Sequence, residues 1–284
     1  MTGRERHGTG ARLRRMLAYA VLILFALVFL YPFVIQTATA FKTEPDAAAH
    51  PLSPIPDPVT TEAFAQVFGG TGFPLWVVNS LAVTLLITAG RVFLDSLAGY
   101  ALARLPFRGR GAITAMVLAV MAVPGVVLLI PKFLVLNQLG LYDTYTALVL
   151  PLIVDAAGVF IMRQFFLSVP PSLEEAARMD GAGVFRTYWS VILPMARPAL
   201  ITLTILSFQS SWNEFPHTVV AVQDPALYTL PRGIANLVAG SLGAGTQYPL
   251  KLAAALLATI PVAIIFIVFQ RYFVRGAAEG ASKE

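Results

Sequence analysis

Few residues in this 284-residue chain can do covalent chemistry. It has no cysteine, which excludes disulfides and thiolate metal sites. His7, His50 and His217 are scattered singly, so neither a metal centre nor a histidine-based catalytic site is expected, and no catalytic residue is assigned. GSLGAGT at 240–246 has the glycine spacing of a phosphate loop but no lysine to reach a phosphate, and reads as a flexible outer loop. Between two strongly apolar runs, VPPSLEEAARMDGAGVFRTYW at 169–189 carries Glu174, Glu175, Arg178, Asp180 and Arg186.

A second set of polar residues stands inside apolar surroundings, where each needs a reason. Arg91 and Asp95 are four apart, hence on one helical face, which suits an intramembrane ion pair facing a helix bundle; a substrate role is the alternative. Asp155 stands alone in a long apolar run. Trp212, Asn213 and Glu214 combine an aromatic face with hydrogen-bonding groups, as a sugar site requires. An interfacial anchor at Trp212 and a membrane-edge position for Glu214 account for the same residues. Asp155, Trp212, Asn213 and Glu214 are the candidates for a substrate pathway.

The elements that must position these groups are membrane helices. The chain is 57% hydrophobic and only 12% charged, about half of what a soluble domain carries. Six apolar runs reach the ~20 residues needed to cross a bilayer: 16–36, 77–102, 112–135, 145–166, 198–221 and 250–269. The first run follows RLRR and precedes ATA at 38–40; it is too long for a signal peptide and reads as an uncleaved anchor. The expected fold class is therefore all-α, a polytopic membrane protein with six transmembrane helices.

Charge orients it. Fifteen of the Lys and Arg residues fall in the N-terminal tail, the second connection, the 163–197 region and the C-terminal tail; four fall in the alternate connections, and Arg91 lies within a run. The positive-inside bias puts both termini and 169–189 in the cytoplasm of a multi-pass protein. The formal net charge of +5 follows this topology and does not point to nucleic acid. The organisation is a tail at 1–15, a first span at 16–36, a Pro-rich outer loop at 37–76 expected to be extended, a core at 77–271, and a tail at 272–284. Pro124, Pro131, Pro151 and Pro261 are expected to kink helices.

Within the charged interruption, Ser172 followed by Glu175 forms a capping-box pattern, Pro170 and Pro171 suit a helix start, and Gly181 and Gly183 can supply a left-handed stop. The segment reads as a short helix, a glycine turn and a second helix over about 184–193. A merely solvated connecting loop is the alternative.

EEAARMDGAGVFRTYWSVILP resembles the EAA loop of ABC importer permeases: Glu175, Ala176, Ala177, Gly181, Leu193 and Pro194 match, and Val191 stands where the family favours Ile. NSL at 79–81, GYALARLPFRGRG at 99–111, FIMRQFF at 160–166, SFQSSWNEF at 207–215 and the ending QRYFVRGAAEGASKE extend the resemblance to the carbohydrate (maltose and glycerol-phosphate) class, specifically its shorter, MalG-like subunit. The resemblance implies a type I importer (MetI-like) fold whose cytoplasmic loop, 168–197, couples to an ATPase through Glu174, Glu175, Ala176, Ala177, Asp180, Gly181, Leu193 and Pro194. It implies a permease subunit of a binding-protein-dependent sugar importer in a bacterial inner (plasma) membrane. Its partners would be a second, MalF-like permease, a dimeric MalK-like ATPase and an extracytoplasmic sugar-binding protein. No cofactor is expected in this chain; ATP and magnesium would be bound by the ATPase, and the C-terminal tail would contact it. A permease for peptides or amino acids shares the EAA loop, and a secondary transporter is the alternative outside the class.

Overall fold

The computed structural model describes residues 9–239 and 247–281, and every regular element among them is helical. In chain order these are α1 (Thr9–Ala40), α2 (Glu44–Ala49), α3 (Glu62–Gly69), α4 (Phe73–Arg104), α5 (Arg110–Met121), α6 (Leu129–Gln138), α7 (Tyr145–Val149) and α8 (Ala156–Ser168). There follow α9 (Ser172–Met179), α10 (Val184–Thr187), α11 (Leu193–Met195), α12 (Arg197–Trp212), α13 (Pro216–Ala221), α14 (Leu230–Ala239) and α15 (Tyr248–Ala281). Helices satisfy their own backbone groups, which is what an apolar medium demands. The 240–246 stretch and residues 282–284 of the C-terminal tail lie outside the described residues.

Four stretches are long and apolar enough to cross a membrane: Arg14–Ala40, Phe73–Arg104, Tyr145–Ser168 and Tyr248–Gln270. Six result if each of two bent pairs is one span. Arg110–Met121 and Gly125–Gln138 meet at 100°. The break falls at 122–124, where Pro124 has no N–H to continue the ladder. The Tyr145–Ser168 stretch is interrupted around Pro151 and restarts at Asp155, so Asp155 is not in mid-helix. Pro261, by contrast, lies within the uninterrupted α15.

The run at 198–221 is also not one helix. Arg197–Trp212 has 16 residues, about 24 Å at 1.5 Å per residue, and Val184–Met195 meets it at 79°. Pro216 stops it and opens α13, and the Glu214 carboxylate accepts from the His217 N–H at 2.9 Å.

The chain divides into two compact units. The first comprises residues up to Thr71 together with Val238–Leu257. Here the Pro-rich loop is not extended. Thr43 caps α2, Asp46 accepts from the Asp57 N–H at 3.0 Å, and Thr60 N–H bonds Phe41 O at 2.9 Å. Lys42, 1% exposed, donates to His50 O at 2.6 Å. Proline at 51, 54, 56 and 58 removes four donors that would otherwise need partners, and the loop returns far enough along α1 for Tyr31 Oη to donate to Leu52 O.

The second unit, Gly72–Leu237 with Ala258–Glu284, holds the bundle. Helices α8 and α12 pack along α4. Glycine permits the α4–α8 approach: a Cβ on Gly99 would stand 2.7 Å from Met162 Cβ and 2.8 Å from Arg163 N. On another part of the unit Asn79 donates to Ala226 O and Tyr228 O and accepts from Tyr145 Oη, and Ser80 accepts from the Leu230 N–H.

Candidate functional site

The charged interruption between α8 and α12 is built as a helix, a turn and a second helix. Pro170 and Pro171 bar continuation of α8. Pro171 itself takes helical angles and serves as N-cap of α9, its carbonyl accepting from the N–H groups of Glu174 and Glu175. Ser172 is thereby the first residue inside the helix, and the expected capping box does not form. The other end follows the glycine expectation. Gly181 has φ +78°, its N–H bonds Arg178 O at 3.0 Å, and Ala182 N–H bonds Ala177 O at 2.9 Å. This pair of bonds is a Schellman closure. Nothing lies within 4 Å of where a Gly181 Cβ would be, so the glycine is required for its backbone angle and not for space.

Beyond Gly183 the chain winds through α10 and a π-helical turn at Tyr188–Ile192 into α11. Pro194 explains the widening: its ring would collide with the Ser190 carbonyl in a regular α-turn, and the wider turn accommodates it.

The segment has two faces. Inward, Tyr188, Ile192 and Ala196 join Tyr100, Met162, Phe166 and Leu203 in one buried cluster, with Leu173 and Leu193 packed on its margin. Tyr100 meets Phe166 edge-on at 5.6 Å, and the Tyr188 hydroxyl bonds Ser96 Oγ at 2.7 Å. Outward stand Glu175, Ala176, Asp180, Gly181 and Pro194, together with large apolar groups in the open: Met179 at 89% exposure, Phe185 at 72% and Trp189 at 54%. These exposed apolar groups thus stand beside the exposed charges of the segment.

Adjacent glutamates diverge. Glu175 faces out, whereas Glu174 and Ala177 are buried. The Glu174 carboxylate lies 3.6 Å from Arg104 Nε. Arg104 ends α4; its Nε and Nη2 donate to Phe166 O at 2.9 and 2.6 Å, and Nη2 also donates to Val169 O. Sequence reasoning missed this residue. Its position at the end of an apolar run, as the R of GYALAR, was the available signal.

The intramembrane polar residues are tied down differently from expectation. Arg91 and Asp95 form no ion pair with each other. Arg91 Nε donates to Leu152 O at 2.7 Å and Nη1 reaches Ser210 Oγ at 3.5 Å. Asp95, 0% exposed, accepts from the Asp155 N–H at 3.1 Å. Both therefore serve the backbone freed by the break before α8. Asp155 caps α8, its Oδ2 accepting from the Gly158 N–H at 3.1 Å.

The proposed sugar triad does not converge. Trp212 is buried, stacked on Phe208 at 5.9 Å, and its Nε1 donates to Ala258 O. Glu214 is occupied with His217, and Asn213, exposed, donates to Gln209 O at 2.9 Å. Of the three, Asn213 alone offers an open side chain. The Trp212 ring is directed into the bundle, where burial of its apolar face is favourable.

Comparison with known proteins places this geometry. Residues 95–279, which contain the whole interruption, match the family described as the binding-protein-dependent transport system inner membrane component. An arabinooligosaccharides transport system permease protein, AraQ of Halalkalibacterium halodurans, is 32% identical over 261 residues, covering 91% of this chain and 92% of its own. The sn-glycerol-3-phosphate transport system permease protein UgpE of Yersinia pestis is 30% identical over 267 residues, 92% and 95% of the two chains. A chain of the crystal structure of a bacterial ABC transporter involved in the import of the acidic polysaccharide alginate superposes with a TM-score of 0.82 at 26% identity, covering 94% of this chain and 99% of that one.

Proposed function

The chain belongs to the family of inner membrane components of binding-protein-dependent transport systems, and from that membership we propose that it is a permease subunit of an ATP-driven sugar importer. Members of this family are transport subunits and not enzymes. Here the chain forms half of the translocation pathway beside a second permease, with both termini in the cytoplasm of a bacterial cell. An extracytoplasmic binding protein delivers the sugar, and a cytoplasmic ATPase dimer binds and hydrolyses ATP. The sugar assignment draws on the relatives that carry arabinooligosaccharides and glycerol phosphate and on the alginate importer.

The observation that carries the reading is the outward face of α9 and α10. A short helix closed by a glycine turn, presenting Glu175, Ala176, Met179, Asp180 and Phe185, is seated through its other face on the bundle cluster. In this reading the ATPase grips that face. Ala176 lets the partner backbone approach, Glu175 meets a cationic side chain, and Met179 and Phe185 fill apolar pockets. Closure of the ATPase dimer displaces α9. The cluster passes the displacement to α4, α8 and α12 because packed interiors move as blocks. The pathway then opens outward to accept sugar.

The test is reconstitution of the complete transporter in liposomes, with uptake of labelled arabinooligosaccharide, glycerol phosphate, alginate oligosaccharide and a dipeptide followed in parallel. Uptake of one of the sugars or sugar derivatives that needs both ATP and the binding protein is expected. Uptake indifferent to ATP, or confined to the dipeptide, overturns the reading.

A further inference from the structure

We infer that Arg104 is the joint that fastens the coupling helix to the bundle, and that Glu174 and Glu175 have divided labour: Glu174 holds this joint while Glu175 meets the partner. The inference rests on the reading of α9 as the helix gripped by the ATPase.

Three helices end or begin around one guanidinium. Arg104 is the last residue of α4. Its two donations to Phe166 O and its donation to Val169 O engage the C-terminal end of α8, where Phe166 O also accepts a long bond from the Val169 N–H at 3.3 Å and the macrodipole is negative. Glu174, in the first turn of α9, closes the other side at 3.6 Å. The Arg104 and Glu174 side chains are 10% and 8% exposed, so water does not screen or replace these contacts.

The link between α8 and α9 is only 169–171, and two of its three residues are proline, whose fixed φ leaves little freedom to flex. With a stiff link and a shared cation, α9 cannot tilt alone. Its displacement carries the ends of α4 and α8 with it. Removing the cation strands Val169 O and a buried carboxylate at once and leaves Phe166 O with the Val169 N–H at 3.3 Å, which loosens the joint where the lever meets the bundle. Lysine keeps the charge but lacks the planar fork, so it restores part of the set.

The experiment uses the complete transporter in lipid bilayers. The chain has no cysteine of its own, so Ser172→Cys on α9 and Phe93→Cys on α4, both exposed and neither on the face proposed for the ATPase, can be spin-labelled in this subunit before assembly. The expected result for the parent is one narrow distance distribution, unchanged by ATP. Arg104→Gln broadens it and lowers sugar carried per ATP hydrolysed by roughly tenfold, the equivalent of one lost charged hydrogen bond, while the ATPase still co-purifies. Arg104→Lys recovers part of the ratio, and Glu174→Gln broadens the distribution as well.

Parental width and parental coupling in Arg104→Gln overturn the inference. So does a parent distance that itself changes when ATP binds. Should Arg104→Gln not assemble, Arg104→Lys and Glu174→Gln decide the same question by the same readouts. Should the parent show no ATP-driven uptake, the proposed function fails. The width measured without nucleotide then still decides whether Arg104 is a joint.

Discussion

Gly181 offers a quantitative test of the coupling segment because its demand is purely conformational. Its φ of +78° lies in the left-handed region, and no atom lies within 4 Å of the position a Cβ would take. A substitution therefore meets no clash inside this chain. Its cost is the left-handed penalty, about 1–2 kcal/mol for an ordinary residue and less for Asn. At 1.4 kcal/mol per decade, alanine lowers the population of the Schellman turn roughly tenfold relative to its alternatives, Asn less, and valine most because branching at Cβ crowds the positive-φ backbone. The assay is ATP-coupled sugar uptake and co-purification of the ATPase for Gly181→Asn, →Ala, →Val and →Trp. Coupling should fall in the order Asn, Ala, Val. Tryptophan should lose ATPase binding beyond its backbone cost, since its bulk projects from the face proposed for the ATPase. Equal coupling in Asn and Val, or parental coupling and ATPase stimulation in Trp, refutes the reasoning.

Two further outcomes follow from the geometry. Gly99→Ala puts a methyl within 2.8 Å of the Arg163 backbone nitrogen. It should force α4 and α8 apart at a cost of about 1–3 kcal/mol, read as a lower unfolding temperature in detergent; an unchanged temperature contradicts the close crossing. Asp143 accepts from the N–H groups of Asp224 and Gln223, and these hold its carboxyl below the usual value of 3.8. Because the folded value is depressed, the stabilisation is complete above pH about 3.8 and is lost as pH falls through the folded value. Hydrogen exchange at Gln223 and Asp224 should therefore show protection that fades only in that acid window, and Asp143→Asn should remove the pH dependence.

Much of the architecture was legible because one constraint dominates it: apolar runs of bilayer length must be helices. The Gly181 turn was legible for a similar reason, since few residues other than glycine reach a positive φ. What escaped the sequence was settled by competition between local signals. Ser172 and Glu175 carry a good capping pattern, yet Pro171 adopts helical angles and takes the cap position first. Pro124 and Pro151 mark kinks in the sequence, but the full breaks at 122–124 and before Asp155, like the stop at Trp212, interrupt runs whose hydropathy continues across them; hydropathy measures solvent preference and does not separate a kink from a break. Adjacent Glu174 and Glu175 have the same chemistry, and only the packing of α9 on the bundle separates an inward carboxylate from an outward one. Arg91 and Asp95 sit at ion-pair spacing, but the backbone opened by the break near Pro151 draws each toward α8.

The central claim is that an ATPase holds the outward face of α9 from the cytoplasmic side. A single cysteine at Met179, the most exposed large apolar residue of that helix, tests it most directly. In sealed vesicles carrying the whole transporter, a membrane-impermeant thiol reagent should reach the cysteine introduced by Met179→Cys from the cytoplasmic face alone, and ATPase binding should shield it and support a cross-link between the two subunits. Labelling from the opposite face, or equal labelling with and without the ATPase and no cross-link, would contradict the account.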